Sequence, residues 1–124
     1  MTTSRTNDAV LVTGATGNTG RKTVELLLAG GHHVRALAHS KDERTAKLAS
    51  VGAEVVVGDL LDLDAVAGVR AAYFVYPIES GLIDATCIFA QAATEAGVEA
   101  VVNMSQISAR REAKSNAARE HWLC

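Results

Sequence analysis

The sequence predicts an α/β fold built on a doubly wound parallel sheet of about five strands, and three observations carry that prediction. Strand-like and helix-like segments alternate along all 124 residues. The strand segments are apolar without alternation, as expected of strands buried on both faces. The first of them runs into Gly14-Ala15-Thr16-Gly17-Asn18-Thr19-Gly20 and then into helix formers. Strand, tight glycine turn and helix in that order form a standard seat for a pyrophosphate against backbone N–H groups.

The first strand is Ala9-Val10-Leu11-Val12, apolar and partly β-branched, stopping before Gly14. Gly14 permits a sharp turn, Gly17 leaves room for a phosphate at the main chain, and Gly20 lets the next helix approach the sheet. Residues Lys22–Ala29 read as a helix with Val24, Leu27 and Leu28 on one face, ended by Gly30-Gly31. Val34–Ala38 is the second strand. Ser40-Lys41-Asp42-Glu43 matches a capping box that opens a short helix to about Ser50, before Gly52. Glu54–Val57 is the third strand, and Asp62 or Asp64 caps a short helix reaching Val69. Ala72–Tyr76 is the fourth strand, ended by Pro77. Ser80 caps the longest helix, about Leu82–Ala96, with Gly97 beyond it. Ala100–Met104 is the fifth strand, and Ala113–Cys124 begins a further helix.

Right-handed crossovers make such a sheet doubly wound, with strand order reversing between the first and fourth strands. A ligand then belongs at the carboxyl ends of the strands, at that switch point. Gly14–Gly20, Asp59-Leu60, the Tyr76-Pro77 loop and Ser105-Gln106 all lie at such ends and should converge on one crevice.

The length fits one domain, residues 1–124, with 48% hydrophobic and 21% charged residues. A net charge of −2 gives no reason to expect nucleic acid or an acidic membrane surface as partner. No apolar run reaches the length of a membrane span, and the polar segment Thr2–Asp8 is not a signal peptide, so a cytoplasmic location is expected. Cys87 and Cys124 suggest no disulfide framework, and Cys87, in an apolar helical stretch, is expected to be buried. The histidines at 32, 33, 39 and 121 show no metal-ligand spacing with them. A phosphate-loop NTPase is excluded because Arg21 separates Gly20 from Lys22.

The glycine run together with Gly58-Asp59-Leu60 resembles the short-chain dehydrogenase/reductase superfamily, which has the Rossmann fold. Its Gly-x-x-Gly-x-x-Gly spacing is similar to that of the extended and atypical branches. Leu11–Gly20, His33-Val34-Arg35-Ala36-Leu37 and Val101–Ser105 look most like NmrA-like proteins, and the resemblance covers almost the whole chain. It implies a dinucleotide cofactor held by Gly14, Thr16, Gly17, Asn18, Thr19 and Gly20, with Tyr76 and Pro77 lining the crevice. It also implies that the Asp59 carboxylate and the backbone at Leu60 bracket the adenine edge. The competing reading of Asp59, the weaker of the two, is a loop residue capping the next helix.

The end of the second strand decides which dinucleotide. An acidic residue there would bond the ribose and favour NAD, but Ala38 and His39 occupy the place, with Lys41 and Arg44 beyond. NADP is therefore expected, with NAD possible. NmrA-like relatives usually carry arginine where His39 stands, which weakens the phosphate clamp, and Lys41 and Arg44 read as well as solvating charges at a helix start.

Ser105 aligns with the catalytic serine of active superfamily members, where a Tyr-x-x-x-Lys pair on the following helix supplies the acid. This chain has no such pair: Tyr73 and Tyr76 lie around the fourth strand, and Lys114 stands without a tyrosine. Two functions fit. One is hydride transfer between NADPH and a small carbonyl or quinone by an active parent; the other is a non-catalytic sensor that signals redox state through a protein partner. Superfamily relatives continue through further strands and a substrate region, so the sequence reads as the amino-terminal part of that arrangement. Its fifth strand would then be an exposed sheet edge open to self-association.

Overall fold

The chain forms a parallel sheet in the order β3-β2-β1-β4-β5, described by a computed structural model over residues 8–58, 63–76 and 81–124. The strands are β1 (Ala9–Val12), β2 (Val34–Ala38), β3 (Glu54–Val57), β4 (Val69–Phe74) and β5 (Ala100–Asn103). The helices are α1 (Asn18–Ala29), α2 (Glu43–Ser50), α3 (Leu82–Ala96) and α4 (Asn116–Leu123), and a 3-10 turn spans Leu63–Val66. All four strand pairings are parallel. Order reverses at β1, which pairs with β2 on one side and with β4 on the other. This is the predicted doubly wound sheet, with its switch point at the end of the strand that leads into the glycine turn.

Each face of the sheet carries its own core. On one face Leu11, Leu37, Ala72 and Phe74 meet Ala65 and Val66 of the 3-10 turn and Ala85, Phe89, Ala92 and Ala93 of α3. Phe74 and Phe89 stack there with ring centroids 4.4 Å apart. On the other face Val12, Val34 and Ala36 pack against Val24 of α1, Leu48 of α2 and Ala53. Alternate side chains of β1 thus enter opposite cores, which explains why its sequence is apolar at every position. Each fully buried Leu or Val contributes about 1.5–3 kcal/mol relative to exposure.

Local chemistry moves several boundaries from their predicted places. Helix α1 starts at Asn18, four residues before the predicted Lys22, because the glycine turn itself winds into the first turn around Gly20. The N-cap of α2 is Asp42 and not Ser40. Its carboxylate accepts from the N–H groups of Arg44 and Thr45, while the Thr45 hydroxyl accepts from the Asp42 N–H, so the box closes with threonine at N3. Among the described residues after β3 a 3-10 turn, Leu63–Val66, stands where the sequence predicts a short helix to Val69, and Asp62 lies outside the described residues. Gly68, at φ 74°, redirects the chain so that Val69 already belongs to β4, three residues earlier than predicted. Strand β4 ends at Phe74 and β5 at Asn103, and α4 starts at Asn116 behind the Ser115 cap. Helix α3 keeps its predicted bounds, but Gly81 is its N-cap, Ser80 lying outside the described residues. Cys87 is exposed, not buried, because it falls off the stripe Leu82, Ala85, Phe89, Ala92 and Ala93 that faces the sheet.

Candidate functional site

The site begins where β1 and β4 separate. The Thr13 N–H donates to the carbonyl of Tyr73 at 3.0 Å, the last backbone bond between the two strands on that side. Beyond it the Thr13 hydroxyl takes over: it accepts from the Val75 N–H at 2.8 Å and donates to the Val75 carbonyl at 3.1 Å. Thr13 is 1% exposed, so these groups satisfy one another where little water reaches. A side chain thereby holds the two strand ends together as their backbones diverge, which is how the crevice opens without an orphaned ladder.

The glycine turn is folded back on itself. Gly14 adopts φ 58°, and a Cβ there would meet Val75 Cγ1 at 2.8 Å. Its carbonyl accepts the Gly17 N–H at 3.0 Å, and the Ala15 N–H reaches the Leu37 carbonyl at the end of β2 at 3.3 Å. At Gly20 a Cβ would lie 2.1 Å from the Gly14 oxygen and 3.0 Å from Ala15 Cα, both backbone atoms. Gly20 is therefore the contact that lets α1 start directly beneath the turn. Gly17, Asn18 and Thr19 are exposed at its open side, and Thr16 is half-buried.

Helix α1 presents its N-terminus to this opening without a side-chain cap and without an acidic residue in its first turn. By contrast α2 and α4 are capped by the side chains of Asp42 and Ser115. An uncapped N-terminus carries about half a positive charge and donors pointing outward, so the local field favours an anion. The Tyr73 hydroxyl, 3.2 Å from Thr19 Oγ1, ties that first turn to β4.

The end of β2 forms the neighbouring wall. The Ala38 carbonyl accepts the Gly58 N–H from the end of β3 at 2.9 Å, and His39 and Lys41 then emerge exposed. Arg44 does not stand free beside them. Its Nη2 lies 2.8 Å and its Nε 3.3 Å from Asp42 Oδ2. That hydrogen bond, helped by the N–H groups of Thr45 and Arg44, holds the Asp42 carboxyl below its ordinary value against an opposing effect of desolvation.

Tyr76 follows β4, packs partly buried against the core of α3, and puts its hydroxyl where a Cβ on Gly81 would come within 2.9 Å. Ser105 is exposed just beyond β5. Asp59, Leu60 and Pro77 lie outside the described residues. The glycine turn, His39, Lys41, Tyr76 and Ser105 thus all follow strand carboxyl ends along one edge of the sheet. Thr13 and Tyr73 were not singled out from the sequence. The only available signal was a threonine directly before the first glycine and a tyrosine inside an apolar strand.

A second polar cluster lies among β2, β3 and the 3-10 turn. Arg35 Nη1 donates to the Ala65 carbonyl at 2.8 Å, and its Nε lies 3.3 Å from Glu54 Oε2 without hydrogen-bond geometry. It anchors the connection between β3 and β4. Among the described residues no three His, Cys, Asp or Glu side chains come together as an ion site, and no helix is long and apolar enough to cross a membrane.

Known proteins are similar to this chain in sequence or in fold. Sterol demethylase protein B of Methylococcus capsulatus is 36% identical over 127 residues, covering 90% of this chain and 38% of that protein. A nucleoside-diphosphate-sugar epimerase from Pseudomonas aeruginosa superposes with a TM-score of 0.78 at 20% identity, covering 94% of this chain and 45% of that one. A short-chain dehydrogenase/reductase superfamily protein from Agrobacterium tumefaciens, solved with bound NAD, superposes with a TM-score of 0.70 at 25% identity, over 93% of this chain and 42% of that one. The chain therefore spans less than half the length of each of these relatives. The model of the NmrA-like family matches residues 6–123, and with the glycine turn and sheet order described above it establishes that this chain belongs to the NmrA-like family.

Proposed function

We propose that the chain binds NADP(H), and NAD more weakly, across the carboxyl ends of β1, β2 and β4. The uncapped N-terminus of α1 beneath the folded glycine turn is the observation that carries this reading. Gly14, Thr16, Gly17, Asn18, Thr19 and Gly20 hold the pyrophosphate, His39 and Lys41 face the adenosine ribose, and Asp59 and Leu60 bracket adenine. Tyr76 and Pro77 line the crevice toward the nicotinamide. Preference for NADP is supported by the absence of an acid at the end of β2, where Ala38 is followed by His39. The bound relative from Agrobacterium tumefaciens supports a dinucleotide of this class.

In a catalytic parent the bound nicotinamide supplies hydride to a small carbonyl or quinone, and this domain binds and orients it. Ser105 is the one residue here that aligns with a catalytic position. A redox sensor working through a protein partner is the second reading, and the lack of a Tyr-x-x-x-Lys pair favours it. The exposed side chains of β5, Val101 and Val102 among them, support self-association at that edge.

Calorimetric titration with NADP, NADPH and NAD tests the binding, and clear preference for NAD would overturn the NADP assignment. Turnover of NADPH with a quinone panel selects the enzyme. Binding without turnover, with a specific partner recovered, selects the sensor. A concentration-independent monomer in sedimentation would refute the edge association.

A further inference from the structure

We infer that Asp42 is a specificity-determining residue of the dinucleotide site, acting against the phosphorylated cofactor by neutralising Arg44. The inference rests on the dinucleotide reading above and concerns which adenosine ribose the site prefers.

The segment His39–Asp42 is the whole connection between β2 and α2, pinned at its start by the bond from Gly58 to the Ala38 carbonyl. Counted from the glycine turn, this connection is where such folds meet the ribose, through an acid for a free 2′-hydroxyl or a base for a 2′-phosphate. By sequence the connection and the first turn of α2 together hold two candidate bases around one acid, Lys41, Asp42 and Arg44. The structure separates them. Lys41 is exposed, whereas both the Nε and Nη2 of Arg44 are directed at one oxygen of Asp42.

Asp42 is well suited to hold that cation. Its other oxygen caps α2 through the Arg44 and Thr45 N–H groups, so the carboxylate is fixed by the helix it starts and favoured there by the helix dipole. The Asp42–Arg44 unit carries no net charge. Among the described residues near the end of β2, that leaves Lys41 as the cation not held by Asp42 and able to favour a phosphate dianion. Arg44 would otherwise be the stronger partner, because its planar fork bonds phosphate with two donors.

Asp42→Asn tests this, since asparagine keeps the helix cap while removing the charge that holds Arg44. Calorimetric titration of NADP and NAD is run on the wild type, Asp42→Asn, Arg44→Ala and the double variant. The ratio of NADP to NAD affinity should rise about threefold to tenfold in Asp42→Asn, the effect of one exposed charge-assisted hydrogen bond. It should fall in Arg44→Ala, which leaves Asp42 uncompensated, and return near the wild-type ratio in the double variant. The gain should shrink in high salt. An unchanged or lower ratio in Asp42→Asn, or a gain that persists without Arg44, overturns the inference while leaving dinucleotide binding intact. If no protein of the set binds either dinucleotide, the reading beneath it falls as well.

Discussion

Replacing Gly20 by alanine sets two effects against each other. Alanine is the better helix former, worth about 1 kcal/mol over glycine inside a helix. Against this, the new Cβ would stand 2.1 Å from the Gly14 oxygen, 2.8 Å from its carbonyl carbon and 3.0 Å from Ala15 Cα. All three are backbone atoms, so no rotamer change relieves the contact. The start of α1 must move off the turn by more than about 1 Å, and overpacking of this kind costs about 1–3 kcal/mol. With backbone on every side we place the cost at the upper end, so the clash wins by about 2 kcal/mol. For a domain of this size that is a fall of roughly 6–10 °C in melting temperature. Gly17→Ala provides the contrast. Gly17 has φ −79° and a single close neighbour at 3.3 Å, so the fold accommodates alanine there. The methyl group intrudes on the open side of the turn instead. Thermal melts and dinucleotide titrations of both variants therefore separate: Gly20→Ala loses stability, Gly17→Ala loses affinity at near-native stability. A Gly20→Ala protein that melts at or above the wild-type temperature would refute the close-packed turn.

Three further outcomes follow from the same geometry. Thr13→Val keeps the side-chain shape but strips both Val75 bonds, so the urea midpoint should fall by an amount equivalent to about 1–3 kcal/mol, with Thr13→Ser recovering most of it. An unchanged midpoint in Thr13→Val would contradict the bridging role. Arg35→Leu removes the donor to the Ala65 carbonyl, and should cost about 1–2 kcal/mol and speed amide exchange across the turn Leu63–Val66; unaltered exchange there would count against it. The Asp42 carboxyl sits below its ordinary value of 3.8 in the fold, so its stabilising effect is complete above that pH and fades as pH falls through and below it. Between pH 5 and 2.5 (approximate experimental limits) the wild type should lose melting temperature more steeply than Asp42→Asn, and parallel curves would rule this out.

Most of the fold was legible because the strands are short, largely apolar runs set among glycines and polar residues. β1, β2 and β3 fall at their predicted bounds for that reason, and α3 keeps its bounds between Gly81 and Gly97. What escaped was set by conformation. Arg70 looks like the end of a loop, yet lies in β4 because Gly68 makes the turn just before it. Gly20 looks like a residue preceding a helix, yet sits inside one because only the absence of its side chain allows the approach. In the candidate site the glycines were readable from spacing alone. The Thr13–Val75 bridge and the Asp42–Arg44 pair were not. The first joins residues 62 apart in sequence, and the second depends on Asp42 rather than Ser40 capping α2.

The central position of β1 also imposes an order on folding. Its β2 side joins residues near in sequence, Val10 opposite Val34, but its other side needs β4, with Ala9 opposite Val69. Val75, the wall against which Gly14 turns, comes later still. A ribosome that has released only the first three strands has made the glycine turn's sequence but not its shape. Non-local parallel pairing is slow to form, and the turn cannot take its described shape before β4 pairs with β1. The glycine turn is thus encoded near the start of this chain and shaped only once a strand some sixty residues later is in place.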